Sequence, residues 1–190
     1  MIDILNAVFD KLYPGLTGKS RDQIIAISEK ITFPKGSRIA EKGKRNQYEY
    51  ILLDGIVRSF LLDQEGEAVT LLFFEKQTVL SPYVTRTCNG VSLINLEALA
   101  DCHLARIDAG QFEKLIEENL EIREFANTIL RQELFRKTNK EIRLISWTGK
   151  QRLEQFRKDY SMLENIIPHS MVASYLGITN VSLSRLRKES

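Results

Sequence analysis

The sequence predicts an α+β protein: an N-terminal antiparallel barrel of the jelly-roll kind, then a long helix, then two short helices around a tight turn. Three observations carry this reading. Short runs rich in β-branched and aromatic residues, punctuated by turn residues, fill positions 31–107. An apolar stripe with steps of three and four starts near Asp108 and, after Gly110, continues without proline or glycine until Gly149. The charge divides in the same way: the first 120 residues hold 14 Lys+Arg and 17 Asp+Glu, net −3, and the last 70 hold 13 and 8, net +5, so the overall +2 conceals two unlike parts. The expected organisation is a barrel with N-terminal helices over 1–110, a long helix over 111–147 and a helix pair over 148–190.

The opening residues Ile2–Leu12 and Ser20–Lys30 read as helices, the second from Ile24, Ile25 and Ile27. ITFPKG, YEYILLDGIVRSFLLD and EAVTLLFFE then read as strands, separated by turns at Pro34-Lys35-Gly36, Gly43, Asp54-Gly55 and Asp63-Gln64-Glu65-Gly66. Such spacing argues for a closed or two-layer antiparallel sheet. In the long helix, Phe112, Leu115, Ile116, Ile122, Phe125, Ala126, Ile129, Leu130 and Leu134 form one stripe, longer than a small barrel needs to cover if the helix is unbroken. A second copy of the chain is the expected partner for the excess.

HSMVASYLGITNVSLSRLRK, residues 169–188, fits a helix-turn-helix. Val172 and Leu176 share a face, Ala173 admits a neighbouring helix, Gly177 supplies the left-handed residue that ends the first helix, and Ile178 fills the corner. Thr179 caps the second helix, and Leu183 and Leu186 turn inward. Thr179, Asn180, Val181, Ser182, Ser184, Arg185 and Lys188 remain as the candidate DNA-contacting set: amide for adenine, guanidinium for guanine, hydroxyl and ammonium for phosphate. An ordinary helix pair with a solvated basic face is the alternative explanation of the same residues.

Other chemistries are poorly supplied. Cys88 and Cys102 match neither a disulfide framework nor a zinc or iron–sulfur pattern, and both read as reduced. His103 and His169 are the only histidines, too few for a metal-dependent barrel enzyme. Phosphate loops, nucleophile elbows and paired carboxylates do not occur, so no enzyme, metal or cofactor is expected. No apolar run approaches a membrane span, and the first residues lack a secretory leader, so a cytoplasmic address is expected.

The order of elements resembles the bacterial Crp/Fnr transcription regulators, whose barrel is a cyclic-nucleotide-binding-type domain. The likeness rests on Phe33-Pro34-Lys35-Gly36, Gly43, the stretch from Tyr50 to Arg58, Glu65-Gly66 and SYLGITNVSLSRLRK. The C-terminal segment is similar to a short-tailed branch found among Bacteroidetes. The resemblance implies a homodimer joined along the long helix, a hinge near Trp147-Thr148-Gly149, a recognition helix beginning at Thr179, and double-stranded operator DNA and RNA polymerase as partners. Two departures matter. The phosphate cassette of the cyclic-AMP-binding members is missing: Ser81-Pro82 stands where Gly-Glu is expected and Ser92-Leu93 where Arg and a small residue are expected. Cyclic AMP in the usual mode is therefore not expected. The segment near Ser81, Arg86 and Ser92 is left as the candidate ligand region, with Arg86 a displaced phosphate partner at best, and the effector is unknown. The second departure is that the sequence stops at Ser190 with no β-wing evident after Lys188. A cyclic-nucleotide-fold protein-interaction or ligand-binding module whose C-terminal helices do not bind DNA stays open as the alternative.

Overall fold

The structure, a computed structural model, describes residues 1–80 and 87–189. Helices α1 (Ile2–Leu12) and α2 (Gly18–Ala26) are followed by strands β1 (Ser28–Phe33), β2 (Arg38–Ala40), β3 (Tyr48–Asp54), β4 (Ile56–Leu62), β5 (Ala68–Glu75), β6 (Thr78–Val79), β7 (Thr87–Cys88), β8 (Val91–Ser92), β9 (Asn95–Ala98) and β10 (Cys102–Asp108). Among the described residues six helices follow: α3 (Ala109–Glu118), α4 (Leu120–Ser146), α5 (Gly149–Asp159), α6 (Leu163–Ile166), α7 (His169–Leu176) and α8 (Asn180–Lys188).

Most strands form two four-stranded sheets, ordered β1-β10-β3-β6 and β2-β9-β4-β5, with a small β7-β8 ribbon. Strands β3 and β10 pair antiparallel, with Leu52 opposite Leu104 and Ile51 opposite Ala105. Ile51, Leu53, Ala105 and Ile107 pack under Leu5, Val8 and Phe9 of α1, Ile24 of α2 and Ile122 and Phe125 of α4. Leu52 and Leu104 alternate with them and are fully buried too. The sheet is thus covered on both faces, which explains why β3 is almost continuously buried instead of alternating. Phe9 meets Phe125 edge to face at 5.6 Å, a geometry that suits the ring quadrupoles.

Two expected elements end elsewhere. The second helix stops at Ala26, because Ser28–Phe33 pairs along its whole length with β10, from Ser28 opposite Ile107 to Phe33 opposite Cys102. The expected helix over 111–147 is two helices. Asn119 leaves helical geometry at φ −131° and ψ 114°, and its Oδ1 accepts the N–H groups of Glu121 (2.9 Å) and Ile122 (3.4 Å), capping α4. What remains, α4, has 27 residues and spans about 40 Å.

The chain divides into two compact units: Met1–Ser59 with Phe73–Leu134, and Phe60–Leu72 with Phe135–Ser190. The second unit therefore joins the tip of the β4–β5 hairpin to the last part of α4 and the helices after it. Its core holds Leu153, Phe156, Leu163, Val172, Ala173, Leu176 and Leu183, each nearly inaccessible.

Candidate nucleic-acid interface

The C-terminal helices are built by local signals. Thr148 and Gln151 form a reciprocal capping box at the start of α5, Thr148 N–H donating to Gln151 Oε1 (2.9 Å) and Gln151 N–H to Thr148 Oγ1 (3.3 Å). Gly149 carries no Cβ where one would stand 3.4 Å from both Ile178 and Leu186, so α5 lies against the corner of the last two helices. At the end of α7, Gly177 takes φ +64° and ψ +39°, and Ile178 N–H reaches back to Ala173 O at 3.1 Å. That 6→1 bond across a left-handed residue closes a helix and turns the chain. Thr179 Oγ1 then accepts Ser182 N–H at 3.1 Å, capping α8.

Each candidate residue can now be placed. Asn180, Val181, Ser184, Arg185 and Lys188 are exposed, and their steps of one, three, one and three put them on one side of α8, with Leu183 buried on the other. Val181 is 71% exposed, so it is a surface residue and not core packing. Thr179 and Ser182 differ from the rest. Their hydroxyls lie 2.9 Å apart and share the cap, and Ser182 is half-buried. They set the start of α8 more than they offer free groups. Neither Arg185 nor Lys188 has a hydrogen-bond or ion-pair partner among the described residues.

One basic residue in the helix pair has a different task. Arg187 Nε lies 2.9 Å from Glu164 Oε1, which also receives Arg157 Nε on its other oxygen at 2.7 Å, and the Arg187 guanidinium rests on the His169 ring. The Arg157 hydrogen bond holds the Glu164 carboxyl below the usual range. Arg187 thus fastens α8 to α6 and α7, and its charge is spent inside the unit. His169, Asn180, Leu183, Ser184, Arg187 and Lys188 line a groove of about 290 Å³ along α8. His169 and Arg187 were not among the sequence candidates; the 18-residue separation of this pair leaves no local signal.

In the barrel, Ser92 is buried, and its hydroxyl donates to Ile94 O at 2.7 Å. Its N–H and C=O pair with Lys44 O (2.9 Å) and Gly43 N–H (2.8 Å), so Ser92 is engaged by Ile94 and by the turn at Gly43. Ser81 and Arg86 lie outside the described residues. A separate apolar cavity of about 60 Å³ lies beside α3 and α4, lined by Ile51, Ile107, Phe112, Phe125 and Ile129 among others. Its charged lining residues are Glu49 and Glu113, which repel a phosphate. Among the described residues no group of three or more His, Cys, Asp or Glu is arranged to hold a metal ion. No described helix is long and apolar enough to cross a membrane.

Residues 30–119 match the cyclic nucleotide-binding domain family. No curated protein matches the chain. Solved structures do: FixK2 from Bradyrhizobium japonicum aligns with a TM-score of 0.74 at 18% identity, over 86% of this chain and 84% of that one. The c-di-GMP responsive global regulator CLP of Xanthomonas campestris gives 0.72 at 16% identity, over 91% of each chain. A protein from Eubacterium rectale assigned to the crp/fnr family of transcriptional regulators gives 0.71 at 17% identity, over 94% of this chain and 85% of that one. Residues 30–119 thus resemble a cyclic nucleotide-binding domain, and the chain shares its fold with regulators of the Crp/Fnr kind, the resemblance that the sequence motifs led one to expect.

Proposed function

We propose that this protein is a sequence-specific, DNA-binding transcription regulator, cytoplasmic and without catalytic activity, that acts as a homodimer. The observation that carries the reading is the free face of α8: Asn180, Val181, Ser184, Arg185 and Lys188 on one side of a nine-residue helix whose other side is fixed by Leu183 and the capped turn. Nine residues span about 13 Å, close to the ~12 Å width of the major groove. On this reading Arg185 reads a guanine edge, Asn180 an adenine edge and Val181 a thymine methyl, while Lys188 holds phosphate. Thr179 and Ser182 fix the first turn of α8 and present their hydroxyls at the groove's edge.

The homodimer is supported by α4. Leu134, Phe135, Ile142 and Ile145 are exposed on it by 67%, 71%, 50% and 80%, a run of large apolar side chains that a lone soluble chain rarely leaves in water. Pairing along this helix places two copies of α8 about one turn of DNA apart, ~34 Å. The barrel then acts as a sensor or scaffold that does not take cyclic AMP in the usual mode. Its effector contacts, if made near Ser81 and Arg86, do not use the Ser92 hydroxyl. RNA polymerase is the further partner such a regulator engages.

The test is a salt titration of binding to operator and random duplex DNA. The affinity falls steeply as salt rises. Arg185→Ala costs ~1–3 kcal/mol on the operator and little on random DNA, whereas Lys188→Ala weakens both alike and shallows the salt slope by about one. Equal losses on both DNAs for Arg185→Ala remove its role as a base reader. No salt-dependent binding at all favours the alternative, a protein-interaction or ligand-binding module.

A further inference from the structure

Lys140, on the last part of α4, is a mostly buried charge without a carboxylate partner among the described residues. Its ammonium donates to the carbonyl oxygens of Thr70 (3.2 Å) and Leu71 on β5, and sits 4.1 Å from the centroid of the Tyr175 ring on α7. A second bond follows the same line: Thr70 N–H donates to Ser174 Oγ on α7 at 2.8 Å. Thr70 is 1% exposed, so these bonds form away from water. Burying an ammonium is costly, and methionine of similar length would fill the space without that cost. A lysine here gives what methionine cannot, donors that fix two backbone carbonyls and one aromatic face at once.

Further ties attach the end of α4 to the helices beyond it. Arg143 pairs with Asp159 at 2.6 Å, Arg152 donates to Leu144 O at 2.8 Å, and a Cβ on Gly177 would stand 3.1 Å from the Leu144 methyl. These bonds cross the Trp147-Thr148-Gly149 turn from both sides.

We propose that Lys140 is a pin that locks the β4–β5 hairpin tip, the end of α4 and the α7–α8 pair into one body, so that the turn at Trp147–Gly149 is not a free hinge. Motion that repositions α8 then carries the hairpin tip and the end of α4 with it, and any effector or partner that holds the tip also holds α8. The proposal concerns how α7 and α8 are attached and is tested without DNA. Its failure and the failure of the DNA-binding reading are therefore separate results.

The experiment is amide hydrogen exchange on the full-length protein, comparing wild type with Lys140→Met and with Lys150→Met, an exposed control on α5. Lys140→Met speeds exchange in residues 68–72 and in α7 together, by about tenfold, with β3 and β10 unchanged and the control silent. Trp147, the only tryptophan, reports the turn itself, and its emission shifts to the red in Lys140→Met alone. Acceleration of the hairpin tip without α7, or of neither, overturns the proposal. If Lys140→Met also exposes β3 and β10, Ser174→Ala decides, since it removes the Thr70 acceptor and only a long 3.5 Å bond to Met171 O besides: joint acceleration of tip and α7 upholds the pin, and no change refutes it.

Discussion

Replacing Gly177 by alanine strikes the turn between α7 and α8 through two separable effects. Gly177 sits at φ +64° and ψ +39°, where an L-residue with a Cβ loses roughly 1–2 kcal/mol. The added methyl also stands 3.1 Å from Leu144 Cδ2, and turning that leucine aside costs about 0.5–1 kcal/mol. The sum is about 2 kcal/mol, enough to weaken the unit without abolishing a fold worth ~5–15 kcal/mol. With a urea dependence of about 2 kcal/mol per molar, the midpoint falls by about 1 M. Trp147 lies in this unit and gives the signal. Gly177→Asn, which tolerates the left-handed region better, loses about half as much. Leu144→Ala combined with Gly177→Ala recovers the contact share as a coupling energy. An unchanged midpoint for Gly177→Ala refutes the left-handed turn, and with it the orientation of α8 on which the DNA-binding reading depends.

Gly55→Ala is the harsher change. At φ +108° a Cβ would lie 2.6 Å from Cys102 Sγ and 2.8 Å from Asp101 O, and the backbone oxygen cannot move aside, so denaturation should show a loss of about 2–5 kcal/mol. Lys140 makes the fold pH-dependent in a definite direction. Burial pushes its ammonium down from the ordinary 10.5 to about 8, so between those values the unfolded chain holds the proton more tightly and stability rises with pH. Measured as wild type minus Lys140→Met, the gain from pH 8 to 10.5 approaches about 3 kcal/mol, and a fall over that range contradicts the burial. Phe135→Glu places a charge in the apolar run of α4 and should convert a dimer to a monomer in sedimentation, with little effect on the unfolding midpoint.

The turns and caps were legible because their causes are local. Gly36, Gly43, Gly55 and Gly66 all adopt positive φ, and Thr179 caps α8 with its own hydroxyl. The break at Asn119 is only partly local: apolar periodicity runs through it unaltered, its Oδ1 accepts two backbone N–H groups, and its Nδ2 donates to Ser20 (3.0 Å) and Gln23 (2.8 Å) of α2, far away in sequence. The start of β1 at Ser28 has a distant cause: pairing with β10, nearly eighty residues on, outweighs the helical pattern of Ile24, Ile25 and Ile27. Partners beyond the local sequence also hid Lys140 and Arg187. On its own helix each reads as a solvated cation, and one becomes a pin and the other a clamp only through Thr70 and Tyr175 or Glu164 and His169. Among the candidate readers, sequence separated inward Leu183 from the outward set, but it did not show that Ser182 would be taken into the cap.

Whether α8 reads DNA is tested most directly by capturing duplex fragments of the encoding organism's genome on the full-length protein and sequencing what is retained. The account predicts one enriched motif with two-fold symmetry and half-sites about one helical turn apart, lost from the retained pool with Arg185→Ala. Retention of genomic fragments no better than random duplex DNA contradicts it.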